Sequence, residues 1–407
     1  MKDKKIYIAL CVSILLVGVG VSLAYFGIKI IGNDTAKNNK VVTGNLELTF
    51  TDTNEITLND AFPGDSFTKT ISVKNTGTKD VSYSLVWTEL TNEITKDELV
   101  IEATCKRLNS SGTKEGTCES ISQTPIKSNT LKKNISIEPS VTHEYTVKVT
   151  FIDTGSVQNY NKNKSFSGKL GINEYKAPNF ATDSWSTIIA NVKAGNGSEY
   201  AVGSTKEVNL GTTYGTHTLR VANTSTPSEC NTTGFSQTAC GFVLEFADII
   251  AEHKMNDTNT NVGGWPATSM RTFVNNDIYN AIPSELRNAI IDTTVISGHG
   301  STSGETNFTS TDKLYLLAPK EIYTNSSSSN DTANELTRML DYYTAQGVTT
   351  GNYSGAIKKN GTSAAWWWLR ATISSITRNF LIVTDDGYWI NDNAAISYYV
   401  APAFRLG

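Results

Sequence analysis

The chain has 407 residues, a net charge of −4 and only 18% charged residues. That length can bury at least two cores, and the lack of a Lys/Arg-rich stripe able to track phosphates excludes nucleic acid as an expected partner. Abundant Asn, Thr, Ser and Gly point to an exported, strand-rich protein whose mature part is all-β or α+β.

At the amino terminus, Lys2, Lys4 and Lys5 precede an uncharged run from Ile6 to Phe26. As a helix this run would span about 31 Å, one hydrocarbon core. The lysines before it, against the single Lys29 after it, place the amino terminus in the cytoplasm and the rest outside. Ser22-Leu23-Ala24 offers a small-x-small cleavage site, so residues 1–32 read as a signal peptide or an uncleaved anchor with membrane contact through residues 6–26.

Ser22 to Phe26, with Val42-Thr43-Gly44-Asn45-Leu46-Glu47-Leu48 after a polar spacer, resembles the leader and first strand of the TasA and camelysin group of Gram-positive matrix proteins. The resemblance covers roughly the first 175 residues and implies a surface or matrix location. The pattern is broken at Gly27-Ile28-Lys29-Ile30-Ile31.

From Leu46 to Tyr175, apolar residues alternate with Thr, Ser and Lys, as in Val81, Tyr83, Leu85, Trp87 and again in Tyr145, Val147, Val149, Phe151. Such alternation marks strands with one buried face. Turn chemistry at Phe62-Pro63-Gly64-Asp65 and Lys74-Asn75-Thr76-Gly77 separates them. Residues 33–178 are therefore expected to form an antiparallel β-sandwich. Its edges would allow self-assembly by strand addition.

Cys11 lies inside the apolar run, leaving Cys105, Cys118, Cys230 and Cys240, for which three pairings exist. Local bridges Cys105–Cys118 and Cys230–Cys240 are favoured because each pair brackets a Gly-containing, hairpin-like loop. Neither pair has zinc-ligand spacing or a nearby histidine.

Proline and polar residues end the strand pattern near Lys176-Ala177-Pro178-Asn179, and an α+β domain is expected over residues 179–407. Trp185, Ile188, Ile189 and Val192 lie on one helix face, with Asp183 or Ser184 as cap and Gly195 as stop. Strands are predicted at 206–210, 218–222, 242–246, 380–384 and 399–405. Ser269 is the expected cap of a helix through Val274, Pro283 opens another, and residues 330–346 read as one more helix.

Four ordered blocks mark this domain: Asn261 to Arg271 with its Gly263-Gly264-Trp265, Asp312 to Leu317, Trp367 to Arg370, and Pro402 to Arg405. They resemble an uncharacterised extracellular bacterial domain, and the Trp-Leu-Arg and terminal Phe-Arg patterns are similar to the ends of C-type-lectin-like domains, formylglycine-generating enzymes among them. The resemblance implies a loop-rich scaffold with a display surface. Formylglycine-generating chemistry needs late cysteines, and none follows Cys240. The calcium-dependent sugar-binding branch uses proline triplets that are missing, although Asp385, Asp386 and Asp392 could gather round a cation.

Chemistry-bearing motifs are otherwise sparse. His143, His217, His253 and His299 fall in separate segments, and no Gly-x-Ser-x-Gly elbow occurs. No catalytic residue, metal or cofactor is expected. Arg271, Arg370 and Arg405 are expected to pair with carboxylates such as Asp312 or Glu321. The resulting expectation is a non-catalytic surface or secreted adhesion protein that binds an extracellular glycan, peptide or surface protein through Trp366, Asp386, Tyr388, Trp389 and Tyr398. The alternatives are a fibre-forming matrix protein and, more weakly, an extracellular hydrolase.

Overall fold

The computed structural model describes residues 39–43, 46–52, 56–58 and 61–407. The expected leader, including residues 6–26, lies outside them. Among the described residues no helix is long and apolar enough to cross a membrane. The chain divides into two compact units between Ala177 and Pro178.

The first unit contains strands β1 (Asn39–Thr43), β2 (Leu46–Asp52), β3 (Ile56–Leu58), β4 (Ser66–Asn75), β5 (Val81–Asn92), β6 (Leu99–Leu108), β7 (Lys114–Thr117), β8 (Ile121–Pro125), β9 (Thr130–Ile137), β10 (Thr142–Phe151) and β11 (Phe166–Glu174). One sheet runs β1-β2-β4-β10-β6-β7 with β8 also on β6, and the other runs β3-β11-β5-β9. All their pairings are antiparallel. Along β10 every second residue is buried, which is the alternation of a strand with one face on a core. Tyr145, Val147 and Val149 thereby meet Tyr83, Leu85 and Trp87 of the other sheet in a single core.

The tyrosine hydroxyls and His143 inside that core are paired, while the Trp87 indole N–H has no partner. The Tyr83 hydroxyl lies 2.8 Å from that of Tyr145 and 3.0 Å from His143 Nδ1. Burial pushes His143 down to about 4. Cys105 and Cys118 form the expected local bridge, tying β6 to the segment after β7.

The second unit is built of many short strands and few, short helices. Its strands are β12 (Thr205–Asn209), β13 (Thr216–Asn223), β14 (Val243–Phe246), β15 (Ala251–Lys254), β16 (Thr293–Ser297), β17 (Phe308–Asp312), β18 (Lys358–Asn360), β19 (Ser363–Ala365), β20 (Trp367–Thr372), β21 (Asn379–Val383), β22 (Trp389–Asn393), β23 (Ser397–Val400) and β24 (Ala403–Arg405). A four-stranded sheet runs β12-β13-β14-β24 and a five-stranded sheet β15-β23-β20-β21-β22, with hairpins β16-β17 and β18-β19 beside them. The mostly β content is a correction to the stronger helical share that periodicity suggested.

Local signals explain where elements start and stop. Ser184 accepts from Thr187 N and caps the helix Trp185–Lys193, as expected. Further on, Thr268 rather than Ser269 is the cap, its hydroxyl taking the Arg271 N–H, and the helix Ser269–Phe273 continues into a π-helical turn at Val274–Ile278. Pro283 sits at the cap position just before Ser284–Arg287. The expected helix over 330–346 is broken into a single turn at Asn334–Leu336 and a short helix at Asp341–Ala345. Tertiary partners outcompete it: the Thr337 hydroxyl bonds Glu321 Oε1 at 2.8 Å, and the Leu340 N–H is taken by the Glu321 carbonyl. The closing strand 399–405 is likewise divided at Ala401-Pro402, so its two halves enter different sheets.

Candidate functional site

Trp366 directly precedes, and Trp367 and Trp368 open, β20, the middle strand of the five-stranded sheet. Trp367 and Trp368 point to opposite faces, and both faces are covered. Trp367 donates to Ala356 O (3.3 Å) and Trp368 to His253 O (3.0 Å), and each is fully buried. Trp366, at the edge of the core, is half-buried. Its indole N–H donates to Asp385 Oδ1 at 3.1 Å.

Around Trp366 the fold gathers most of the aromatic residues proposed from sequence. β23 runs parallel to β20 with Trp367 opposite Tyr399, which sets Tyr398 beside Trp366. Their rings stack at 5.6 Å and 26°. Tyr398 also meets the edge of Trp368 and donates to Asp392 Oδ2 at 2.6 Å. On the β21-β22 hairpin, Tyr388 stacks on Trp389 (6.1 Å, 21°) and meets Tyr353 at 5.3 Å. Tyr388 is 39% exposed, one of few large apolar side chains so open.

The hairpin turn joins the two aromatic pairs, since Asp385 in that turn holds Trp366. Asp386 shapes the turn, accepting from the Thr384 hydroxyl (2.5 Å) and Tyr388 N (3.1 Å), and these bonds hold its carboxyl below the usual range. Gly387, at φ +91°, has its α-carbon against the Tyr353 carbonyl where no side chain fits. Asp386 is thus a turn-former whose carboxylate is already engaged. Asp392 pairs with Phe380 at the far end of the hairpin, so it does not join Asp385 and Asp386 round one point. Tyr353 and Asp385 complete the strip. The signal for Tyr353 was faint, a lone aromatic between Gly351 and Gly355.

The arginines of the conserved-looking blocks are anchors. Arg370 makes two bonds to Glu321, at 2.6 and 2.5 Å, with both side chains fully buried. Arg271 bonds Asp312 at 2.5 Å, and Trp265 donates to the same carboxylate at 2.9 Å. Arg405 departs from the expectation: its buried Nε has no partner, and burial lowers its pKa. Cys230 and Cys240 are bridged.

A second buried charge network was not foreseen. Glu245 accepts from Arg220 (2.8 Å), Lys358 (2.8 Å) and Tyr343 (2.9 Å). Burial raises the Glu245 carboxyl, but the two cations overcome it and hold the group at about 2. Lys358 is pushed down to about 8 by burial. No buried polar atom of this group lacks a protein partner, which marks a structural network.

Two open clefts lie away from the aromatic strip. One, of ≈ 510 Å³, is lined by Leu210, Thr212, Tyr214, Asn276, Asp277 and Asn280. The other, of ≈ 640 Å³, is in the first unit and lined by Phe62, Phe151, Gln158, Asn161, Lys162 and Lys164. Below it Glu98 is satisfied by Gln158 (2.7 Å), Asn161 (2.8 Å) and the Tyr160 hydroxyl.

These observations define a two-unit, disulfide-bonded and largely β protein. Residues 4–98 match the family described as Camelysin metallo-endopeptidase, and residues 241–407 match a domain of unknown function (DUF6273). No curated protein matches significantly. Among solved structures, a family 123 glycoside hydrolase from Clostridium perfringens, reported for glycolipid glycan hydrolysis, aligns at 16% identity with a TM-score of 0.17. The alignment spans 28% of this chain and 19% of that one, and carries no argument about fold or function.

The first family name implies a metal. A catalytic zinc needs about three protein ligands and an open position, yet residues 4–98 contain no histidine. Among the described residues the one group of three possible ligands is Cys105, Cys118 and His143. Its sulfurs are bonded to each other and its imidazole to the Tyr83 hydroxyl. These side chains do not fit a zinc centre.

Proposed function

We propose that the chain is an exported surface or secreted protein whose second unit binds an extracellular ligand without chemistry, through the strip formed by Tyr398, Trp366, Tyr388, Trp389 and Tyr353. The observation carrying this reading is the pairing of four of these rings into two stacks, held by the Asp385 turn and partly open to solvent. Aromatic faces of this kind take sugar rings or peptide side chains. The camelysin-type match supports a surface location. A C-type-lectin-like arrangement is our reading of the second unit, supported by its many short strands, its loop-borne aromatics and the buried Trp-Leu-Arg strand. Glycan and peptide arrays probed with the protein and with Trp366→Ala test the assignment: retained binding in the variant moves the site elsewhere.

A second reading, assembly into matrix fibres, rests on the outer strands of the first unit. Each sheet ends in strands with only one partner, β1, β7 and β8 in one and β3 and β9 in the other, and such edges accept a further strand. Concentration-dependent fibres seen by electron microscopy, with no array binding, would favour it over ligand recognition.

A further inference from the structure

The loop Asn256–Gly264 enters Trp265 through a tight turn, closed by Gly264 N donating to Asn261 O at 3.0 Å. Gly264, at φ +56°, lies against the Phe308 ring and leaves no room for a side chain. Asn261 is wholly buried, and its amide nitrogen donates to Ile376 O (2.8 Å) and Asn379 O (3.0 Å). Two carbonyl partners settle which end of the amide is nitrogen. The α-carbon of Gly300 faces both ends of the amide, an added Cβ there lying 2.7 Å from the nitrogen and 2.6 Å from the oxygen. Nothing in the protein donates to it.

Two more oxygens without a donor belong to the chain that follows Gly300. Glu305 accepts from Gly263 N through Oε1 at 2.7 Å, while its buried Oε2 has no partner. Thr302 is joined to Glu305 by a backbone bond of 3.3 Å, and its Oγ1 is also buried and unpartnered. An amide oxygen, a hydroxyl and a carboxylate oxygen thus stand unpaired where the 261–264, 300–305 and 376–379 segments meet. Glu305 and Thr302 are themselves half-buried, but each buried oxygen left unpaired carries the cost of an unmade hydrogen bond.

We propose that this junction binds a hard divalent cation of the calcium type, with Asn261 Oδ1, Thr302 Oγ1 and Glu305 Oε2 as protein ligands. The donor set is all oxygen, the choice of a hard cation rather than zinc or copper. A bridging water would leave the Glu305 charge uncompensated, whereas a cation compensates it and takes all three oxygens as ligands. The flanking Ser301, Ser303 and Gly304 are exposed, so water completes the coordination. With one carboxylate the affinity belongs to the weak extracellular class, on the order of 0.1 to 1 mM. The site is separate from the aromatic strip, and its role is to lock three loops.

The test uses the full chain freed of divalent ions by chelation. Terbium titration should give saturable emission sensitised by the neighbouring Trp265 and displaced by calcium, and calcium alone should raise the melting temperature. Glu305→Gln keeps the bond to Gly263 N and removes the charge, so calcium affinity should fall at least about tenfold. Thr302→Val, the milder variant should Glu305→Gln fail to fold, should weaken binding about two- to threefold. No saturable binding up to about 10 mM calcium, or unchanged affinity in the folded variants, overturns the proposal and leaves a bridging water at the junction.

Discussion

Arg370 and Glu321 face each other as a two-pronged ion pair, 2.6 and 2.5 Å, with neither side chain exposed. The pair also organises its surroundings: Glu321 accepts from the Thr238 and Thr337 hydroxyls and from Ala318 N, and Arg370 donates to the Leu316 carbonyl at 2.8 Å. One charged pair therefore joins β20 to the segments around 238, 316–321 and 337. Removing either partner strands the other charge in the core, so Glu321→Gln and Arg370→Met should each cost about 3 to 5 kcal/mol. Urea denaturation measures this, and the double variant should lose less than the two singles summed. Additive losses would show that the two groups act independently.

Asp331 gives the second unit an unusual response to acid. Burial raises its carboxyl from 3.8 to about 6. A raised acid holds its proton more tightly in the folded state, so its contribution is full below about pH 4 and is lost as pH rises through about 6. Relative to Asp331→Asn, the protein should lose about 3 kcal/mol between pH 4 and pH 7. Denaturation of both at the two pH values checks it, and a pH-independent difference refutes the assignment.

His143 works in the opposite sense in the first unit. Its folded-state value of about 4 lies below the ordinary 6.5 because burial disfavours the charged ring. Its contribution is present above pH 6.5 and is lost as pH falls toward 4. Hydrogen exchange of β5 and β10 peptides, corrected for intrinsic rate, should show faster opening at pH 4.5 than at 6.5. The acceleration should be smaller in His143→Gln.

The bridge Cys230–Cys240 closes a loop with a sequence separation of 10 residues and has Cα atoms 5.9 Å apart. In the loop-entropy description such a closure contributes about 3 kcal/mol. The double variant Cys230→Ser, Cys240→Ser should melt several degrees lower without reductant, and reductant should no longer affect that loop.

Gly387→Ala tests the display turn. The new methyl group would collide with the Tyr353 carbonyl at a backbone angle that disfavours it. Array binding should fall about tenfold with a loss of about 1 to 3 kcal/mol of stability from the strained turn, whereas Tyr388→Ala should match the loss of binding with little change in stability. Full binding in both would remove the hairpin from the recognition surface.

Much of the sandwich was legible in the sequence, because alternation along β10 is a local consequence of having one buried face, although β5 is buried on both faces from Tyr83 to Trp87. The Ser184 cap and both bridges were legible for the same reason, being set by residues close in sequence. The failed helix over 330–346 shows where local reading stops. Its apolar spacing is helical, yet Thr337 and Leu340 are claimed by Glu321, a partner no periodicity reveals. In the candidate site, Trp366 was named from sequence as a binding residue, and it is half-buried where Trp367 and Trp368 are fully buried. Its indole partner Asp385 was considered only as a cation ligand, because the hairpin that delivers it is a tertiary fact. Arg405 matched a block but not a carboxylate, since composition names possible partners without bringing them together.

The strand β24 pairs with β14, and Ala403 within it and Leu406 just after it bridge to Tyr315 and Ile290, far earlier in the chain. A polypeptide leaving a ribosome or an export channel amino end first would expose β14 roughly 160 residues before its partner arrived. The tryptophan-rich centre of the second unit consequently closes only after residues 403–406 emerge.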